Sequence, residues 1–246
     1  MDDFEILFNQ WLKNESKNLS RQRLGKEDVG AKRKYIHFDK RRQASSLIDF
    51  KKIFKYSDGI LKIAFWPFLK LTIKTPRIKN KKDGLRKKQN KLRNVYYAAH
   101  RDACVYSWYS FLLNQKYYEP LLKKLGLDEC VIAYRKIPTQ EDTKKNKCNI
   151  HFAKEVFEYI KNNQRDCVAF VSDITSFFDN LDHEHLKKEW LKVLNLDQDN
   201  ELPPDHQLIY KNLTKFKYVD AEKMYHELMA TKDSIKTLRR IILNSR

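Results

Sequence analysis

The sequence predicts an α+β fold rich in helix, and three features predict it. Apolar residues recur at helical spacing over residues 102–125, over 151–161 and from Leu186 onward. The run CVAFVSDI at residues 167–174 is β-branched and aromatic, of strand length, and bounded by polar residues. Residues 77–93 carry dense lysine and arginine around Asp83-Gly84, a dipeptide that favours a hairpin turn.

Taken in chain order, residues 4–13 read as a short amphipathic helix with Phe4, Leu7, Phe8, Trp11 and Leu12 on one side. Residues 14–47 are polar and basic, and are expected as an extended or partly helical arm. Residues 60–74 read as one or two strands around Pro67, followed by the basic hairpin. The long helix over 102–125 buries Val105, Trp108 and Leu112 and is capped by Gly126. Asn149 is placed to cap a second helix, with Phe152, Val156, Tyr159 and Ile160 facing inward and Asn162-Asn163 ending it. Residues 167–174 then form a buried strand, and Thr175 or Ser176 turns the chain into a short helix. The remainder is helical, broken at Leu202-Pro203-Pro204, and 233–244 form a last amphipathic helix.

Composition bounds the class. Of the 246 residues, 41% are hydrophobic and 13% aromatic, which is too much buried-type side chain for a disordered chain. The formal net charge of +18 favours a polyanionic partner, nucleic acid first among them, although a solvated lysine-rich surface produces the same count. The four cysteines, at 104, 130, 148 and 167, make no C-x-x-C pair and accompany no histidine cluster, so neither a zinc site nor a disulfide framework is expected. They read as reduced, mostly buried thiols of a cytoplasmic protein. The acidic start MDDFE lacks the charge pattern of a signal peptide, and the longest apolar candidate, residues 60–73, is interrupted by Lys62, Pro67 and Lys70.

The chemistry is concentrated at Asp173. A carboxylate closing a buried strand needs compensation by a cation or several donors. Magnesium, which takes carboxylate, phosphate and water oxygens, is a natural one. Two such ions about 4 Å apart activate a 3′-hydroxyl and stabilise a pyrophosphate leaving group. An aspartate before a helix also caps it, and spacing alone leaves both readings open.

The segment DITSFFDNLDH, residues 173–183, resembles motif A in the palm of bacterial reverse transcriptases, the group of intron, retron and abortive-infection or phage-defence enzymes. The resemblance implies that Asp173 binds both catalytic magnesium ions, that Ile174 lends its backbone carbonyl, and that Phe178 is the steric gate against a ribose 2′-hydroxyl. Ordinary core packing is the other reading of Phe177 and Phe178. His183 is read as structural, since nothing nearby pairs with it as acid or base.

Further segments are similar to the same family. AHRDACVY at 99–106, the helix after it and Tyr118-Glu119 resemble the fingers, and VIAYRK at 131–136 resembles the next motif. Lys91, Arg93 and Arg135 thereby take nucleotide-binding roles. Lys81, Lys82, Arg86, Lys87 and Lys88 are candidates to neutralise template or primer phosphates without reading sequence, though exposed charges are often only solvated. Segments 202–206 and 214–220 resemble an insert of defence-associated members, and 35–39 with 65–68 their N-terminal extension. The implied organisation is an extension over 1–75, fingers over 76–165 and a partial palm over 166–246.

What the resemblance implies is RNA-directed DNA polymerase activity: addition of dNTPs to a DNA or RNA primer on an RNA template, with Mg²⁺ and no membrane partner. Two family elements are missing. No Gln-Gly follows motif A, since Gly126 is the last glycine, and the only adjacent aspartates are Asp2-Asp3. The expectation is a truncated or frameshifted product inactive alone, or one half of a polymerase completed by a second chain. The alternatives are a non-catalytic nucleic-acid-binding module and an antiviral protein whose partner is protein.

Overall fold

The computed structural model describes residues 2–20, 35, 37–80, 86–139, 145–163, 165–174 and 177–229. Helix α1 (Asp3–Ser20) outruns the expected short helix, because Trp11 Nε1–H donates to Ser107 Oγ (3.1 Å) and Ser107 Oγ–H donates to Glu15 Oε2 (2.8 Å). A 3₁₀ turn, Ala44–Phe50, leads into α2 (Lys51–Lys55) and α3 (Ser57–Leu61). These two short helices meet at Gly59, where a Cβ would lie 2.5 Å from the Ile53 carbonyl oxygen, so only glycine fits.

Strand β1 (Phe68–Asn80) starts after Pro67, so the strand expected over 60–74 begins late: residues 60–67 finish α3 and run irregularly. It pairs antiparallel with β2 (Arg86–Tyr97), in register from Leu69↔Tyr97 to Asn80↔Arg86. The basic hairpin therefore forms and is longer than expected; Asp83-Gly84 at its turn lies outside the described residues.

Helix α4 (His100–Leu112) runs through a π-helical turn, Leu113–Tyr118, into α5 (Glu119–Lys124). Pro120 has no N–H for the carbonyl four residues back, and the wider turn before it accommodates that loss. Gly126, at φ +66°, closes the column as expected, its N–H donating to the Lys123 carbonyl (3.1 Å). Then come α6 (Asn149–Asn162), a 3₁₀ turn at Phe177–Asn180, α7 (His183–Val193) and α8 (Pro204–Thr214), the last starting on a proline at its first turn. A short β3 (Tyr218–Asp220) pairs parallel with β1 through Phe68↔Tyr218 and Lys70↔Asp220, giving a three-stranded sheet of order β2-β1-β3. Helix α9 (Ala221–Met229) follows, and the helix expected over 233–244 lies outside the described residues. The fold is α+β, and no described helix is long and apolar enough to cross a membrane.

One aromatic core organises the helices. Phe8, Trp11, Phe50, Phe54, Ile60, Val105, Trp108 and Ile209 are all buried in it, so it draws on α1, α2, α3, α4 and α8. Trp108 stacks on Phe54 at 5.1 Å with an interplanar angle of 4°, and meets Trp11 edge-on at 5.9 Å. Each such side chain contributes about 1.5–3 kcal/mol by leaving water. A second, smaller cluster joins α7 to α8 through Leu191, Leu202 and Tyr210.

Beside it, His206 lies buried edge-on to Tyr109 at 5.0 Å, and its Nδ1 accepts a hydrogen bond from Trp190 Nε1–H at 3.2 Å. Burial holds its pKa below the usual histidine value, against a weaker opposing pull from Asp205. Below about pH 6.5 the unfolded chain then binds more protons than the folded one, so this stabilisation is present above that pH and lost as pH falls. The urea midpoint is expected to drop between about pH 7.5 and about pH 5, and to drop less in His206→Phe.

Two expectations fail together. Residues 167–174 form no strand: Val168 is 95% exposed, Phe170 89% and Val171 90%. Nor does α6 fully bury its apolar face: Phe152 and Ile160 are half-buried, while Val156 and Tyr159 are exposed. Both misses share a cause. A strand needs neighbours for its backbone N–H and C=O groups, and an amphipathic helix needs a surface to cover. Among the described residues no strand pairs with 167–174, and α6 is covered only in part. The cap of α6 is Cys148 rather than Asn149, with the Cys148 N–H donating to His151 Nδ1 at 3.1 Å. Of the four cysteines only Cys104 is buried; Cys130, Cys148 and Cys167 are exposed, which corrects the expectation of mostly buried thiols.

Candidate nucleic-acid interface

The hairpin sets the geometry. Strand alternation and the register put Ile73, Thr75 and Arg77 on one face with Arg93, Lys91 and Gln89. Side chains on that face recur about every 6.8 Å along each strand. The opposite face carries Lys70, Thr72, Lys74, Pro76 and Ile78 with Tyr96, Asn94, Leu92, Asn90 and Lys88. Arg77, Arg86, Lys88, Lys91 and Arg93 are all exposed, and Arg77, Gln89, Asn90 and Lys91 line a cleft of about 340 Å³. Of the candidate cations, Arg86, Lys88, Lys91 and Arg93 thus share one exposed ribbon. Lys81 and Lys82 lie outside the described residues, as does the side chain of Lys87.

The base of the ribbon is held at the start of α4. Asp39 accepts the backbone N–H of His100 (2.9 Å) and of Arg101 (3.0 Å), so a residue from the N-terminal segment caps this helix across the fold. His37 braces it, with Nδ1 3.4 Å from Asp39 Oδ1 and Nε2 3.2 Å from the Pro67 carbonyl oxygen. Next to the cap, the buried Asp102 accepts the Trp66 N–H (2.8 Å) and Arg101 Nε–H (2.9 Å), and Arg101 also donates to the Ala64 carbonyl. Burial raises the pKa of Asp102, while the Trp66 amide and Arg101 pull it back. The sequence reading missed this network because its partners are far apart along the chain.

Arg135 has a different place from the one expected. Its Nε–H and one terminal nitrogen make a two-pronged pair with Glu119 (2.9 and 2.7 Å), and its other terminal nitrogen donates to the carbonyls of Asp128 and Val131 (both 2.6 Å). The side chain is only 7% exposed. Tyr134, at φ +59°, turns the chain so that Arg135 folds back in this way. The Arg135 hydrogen bonds are the leading cause that lowers the Glu119 pKa. In this arrangement Arg135 ties the loop after α5 to that helix, and its guanidinium is committed to protein instead of a nucleotide.

Asp173 and Ile174 sit at the end of the unpaired segment, Asp173 exposed and Ile174 67% exposed. The expected buried carboxylate is therefore an exposed one, since the strand that would bury it has no partner. Asp173 caps no helix among the described residues; Asp182 does, its Oδ1 accepting the His185 N–H at 3.0 Å to start α7. Phe178 belongs to the 3₁₀ turn, with its side chain outside the described residues. The backbone carbonyl of His183 accepts the Tyr210 hydroxyl at 2.7 Å.

The oxygens of Asp173 and Ile174 suit magnesium in kind but not in number, because that ion keeps an octahedral shell. No group of three or more His, Cys, Asp or Glu side chains among the described residues could hold a metal ion. An apolar groove of about 410 Å³ between α4, α7 and α8, lined by Tyr106, Tyr109, Leu113, Trp190 and Leu213, offers little to an anionic ligand. In comparisons with family models and with curated proteins, the chain matches none.

Proposed function

We propose that this chain supplies the fingers and the opening part of the palm of an RNA-directed DNA polymerase of the bacterial defence type. RNA template, a DNA or RNA primer and dNTPs are its ligands. The observation that carries the reading is the exposed antiparallel ribbon bearing Arg77, Arg86, Lys88, Lys91 and Arg93, which leads directly into α4. A ribbon of exposed cations neutralises phosphates without reading bases. The motif A likeness at residues 173–183 adds the reaction. Asp173 and the Ile174 carbonyl would hold Mg²⁺, which activates the primer 3′-hydroxyl and neutralises the leaving pyrophosphate. The remaining carboxylates have to come from outside the described residues. Strands pairing with residues 167–174 and resting on α6 would cover both open apolar surfaces at once.

A second reading has its own observation. Asp173 stands exposed on an unpaired segment, which favours a nucleic-acid-binding module without catalysis. Primer extension on an RNA template with Mg²⁺, in the presence of a chain that supplies the rest of the palm, separates the two. RNA-dependent incorporation of deoxynucleotides supports the polymerase. Tight binding of the template–primer with no incorporation leaves the binding module.

A further inference from the structure

The opposite face of the sheet carries an aromatic cluster to which the motif reading gives no role. On the face opposite Arg77, Lys91 and Arg93, the base of the ribbon gathers Tyr96, Phe216 and Tyr218. Their ring centroids are 5.2 Å apart for Tyr96–Phe216 and 5.4 Å for Tyr96–Tyr218, and Phe216 also meets Phe68 at 5.2 Å. The three rings are nevertheless 37%, 39% and 50% exposed, so this is a surface cluster and not a core. The parallel pairing of β3 with β1 creates it, since Phe68↔Tyr218 and Lys70↔Asp220 bring the chain after α8 alongside the hairpin.

Cations border the rings. Lys74 and Lys88 are exposed on the same face of the ribbon. Lys70 lies 5.6 Å from the Tyr218 ring centre. The one carboxylate in the cluster, Asp220, is neutralised by Lys70 at 3.2 Å and by the N–H groups of Glu222 and Lys223 at 3.1 and 3.2 Å.

We infer that this face is a stacking platform for unpaired nucleotides, holding a single-stranded stretch of nucleic acid by its bases while the surrounding lysines meet its phosphates. Exposed aromatic rings on a sheet, bordered by lysine, are what base stacking without sequence readout requires. The net charge of +18 favours a polyanion over an apolar protein surface as occupant. The inference deepens the nucleic-acid reading above and rests on it.

Fluorescence anisotropy of the full chain tests it, with a short thymidine oligonucleotide and an abasic oligomer of equal length and charge as probes. The thymidine probe is expected to bind at least about tenfold tighter than the abasic one, equivalent to about 1.4 kcal/mol. Tyr96→Leu and Tyr218→Leu keep apolar bulk but remove the ring, and should bring thymidine binding close to the abasic level. Tyr96→Phe and Tyr218→Phe should retain it. Equal binding of the two probes by the parent chain overturns the platform while leaving phosphate binding intact, and that comparison needs no variant to fold. Unchanged thymidine binding in the leucine variants also overturns it and turns the aromatic face over to a protein partner. Failure to bind either probe overturns the nucleic-acid reading as well.

Discussion

In a complex completed by a chain that supplies the rest of the palm, replacing Asp173 by alanine is expected to lower RNA-templated deoxynucleotide addition by at least about 10³-fold, while template–primer binding changes by less than about twofold. The split follows from where the residue sits. Asp173 is exposed and makes no hydrogen bond or ion pair among the described residues, so its removal has almost no cost to the fold. It also adds no positive charge to the phosphate-binding ribbon. What is lost is a hard oxygen donor, and losing such a donor at a metal-assisted transition state removes several kcal/mol of stabilisation. Asp173→Asn, which keeps the shape without the charge, should fall nearly as far. Primer extension and anisotropy on the same preparations check both halves. Parallel losses of extension and binding would make Asp173 a structural residue.

Trp108→Ala is expected to be the most damaging single change to stability, at about 3–5 kcal/mol. The ring is buried where α1, α2 and α4 converge. It stacks on Phe54 at 5.1 Å and meets Phe4 and Trp11 edge-on, both at 5.9 Å. These partners come from two helices, α1 and α2, and Phe54 and Trp11 already pack tightly on each other, so they are poorly placed to close over the void. Against a typical domain stability of about 5–15 kcal/mol, the loss should lower the melting temperature by about 10 °C or more. Trp108→Phe retains part of the stack and should cost less. A thermal melt followed by near-ultraviolet circular dichroism measures the difference, and a shift within a degree or two would mean that the core is organised otherwise.

The limits of legibility are physical. The α4–α5 column was readable because its signals are local: apolar spacing of 3.6 residues and a glycine at its end. The hairpin was readable for the same reason, a turn dipeptide between two runs of strand length. Residues 167–174 carry an equally strong local signal, yet a strand is a property of a sheet, and the described residues offer it no neighbour. Helix α6 formed where expected but is covered only in part along its apolar stripe. The Asp39 cap of α4 and the parallel docking of β3 escaped the reading because each joins residues distant in the chain. Among the candidate site residues, Lys91 and Arg93 share the ribbon with Arg86 and Lys88. Arg135 is turned inward by its pairing with Glu119, which composition and motif spacing do not reveal.

The most direct test of the account is the salt dependence of binding to an RNA template annealed to a DNA primer, for the parent chain and for the triple variant Lys88→Gln, Lys91→Gln, Arg93→Gln. The parent is expected to lose affinity steeply as salt rises, and the variant to show a log–log slope shallower by about 2–3, one released counterion for each lost contact. A parent slope near zero, or a variant slope indistinguishable from the parent's, would contradict the ribbon as the nucleic-acid interface.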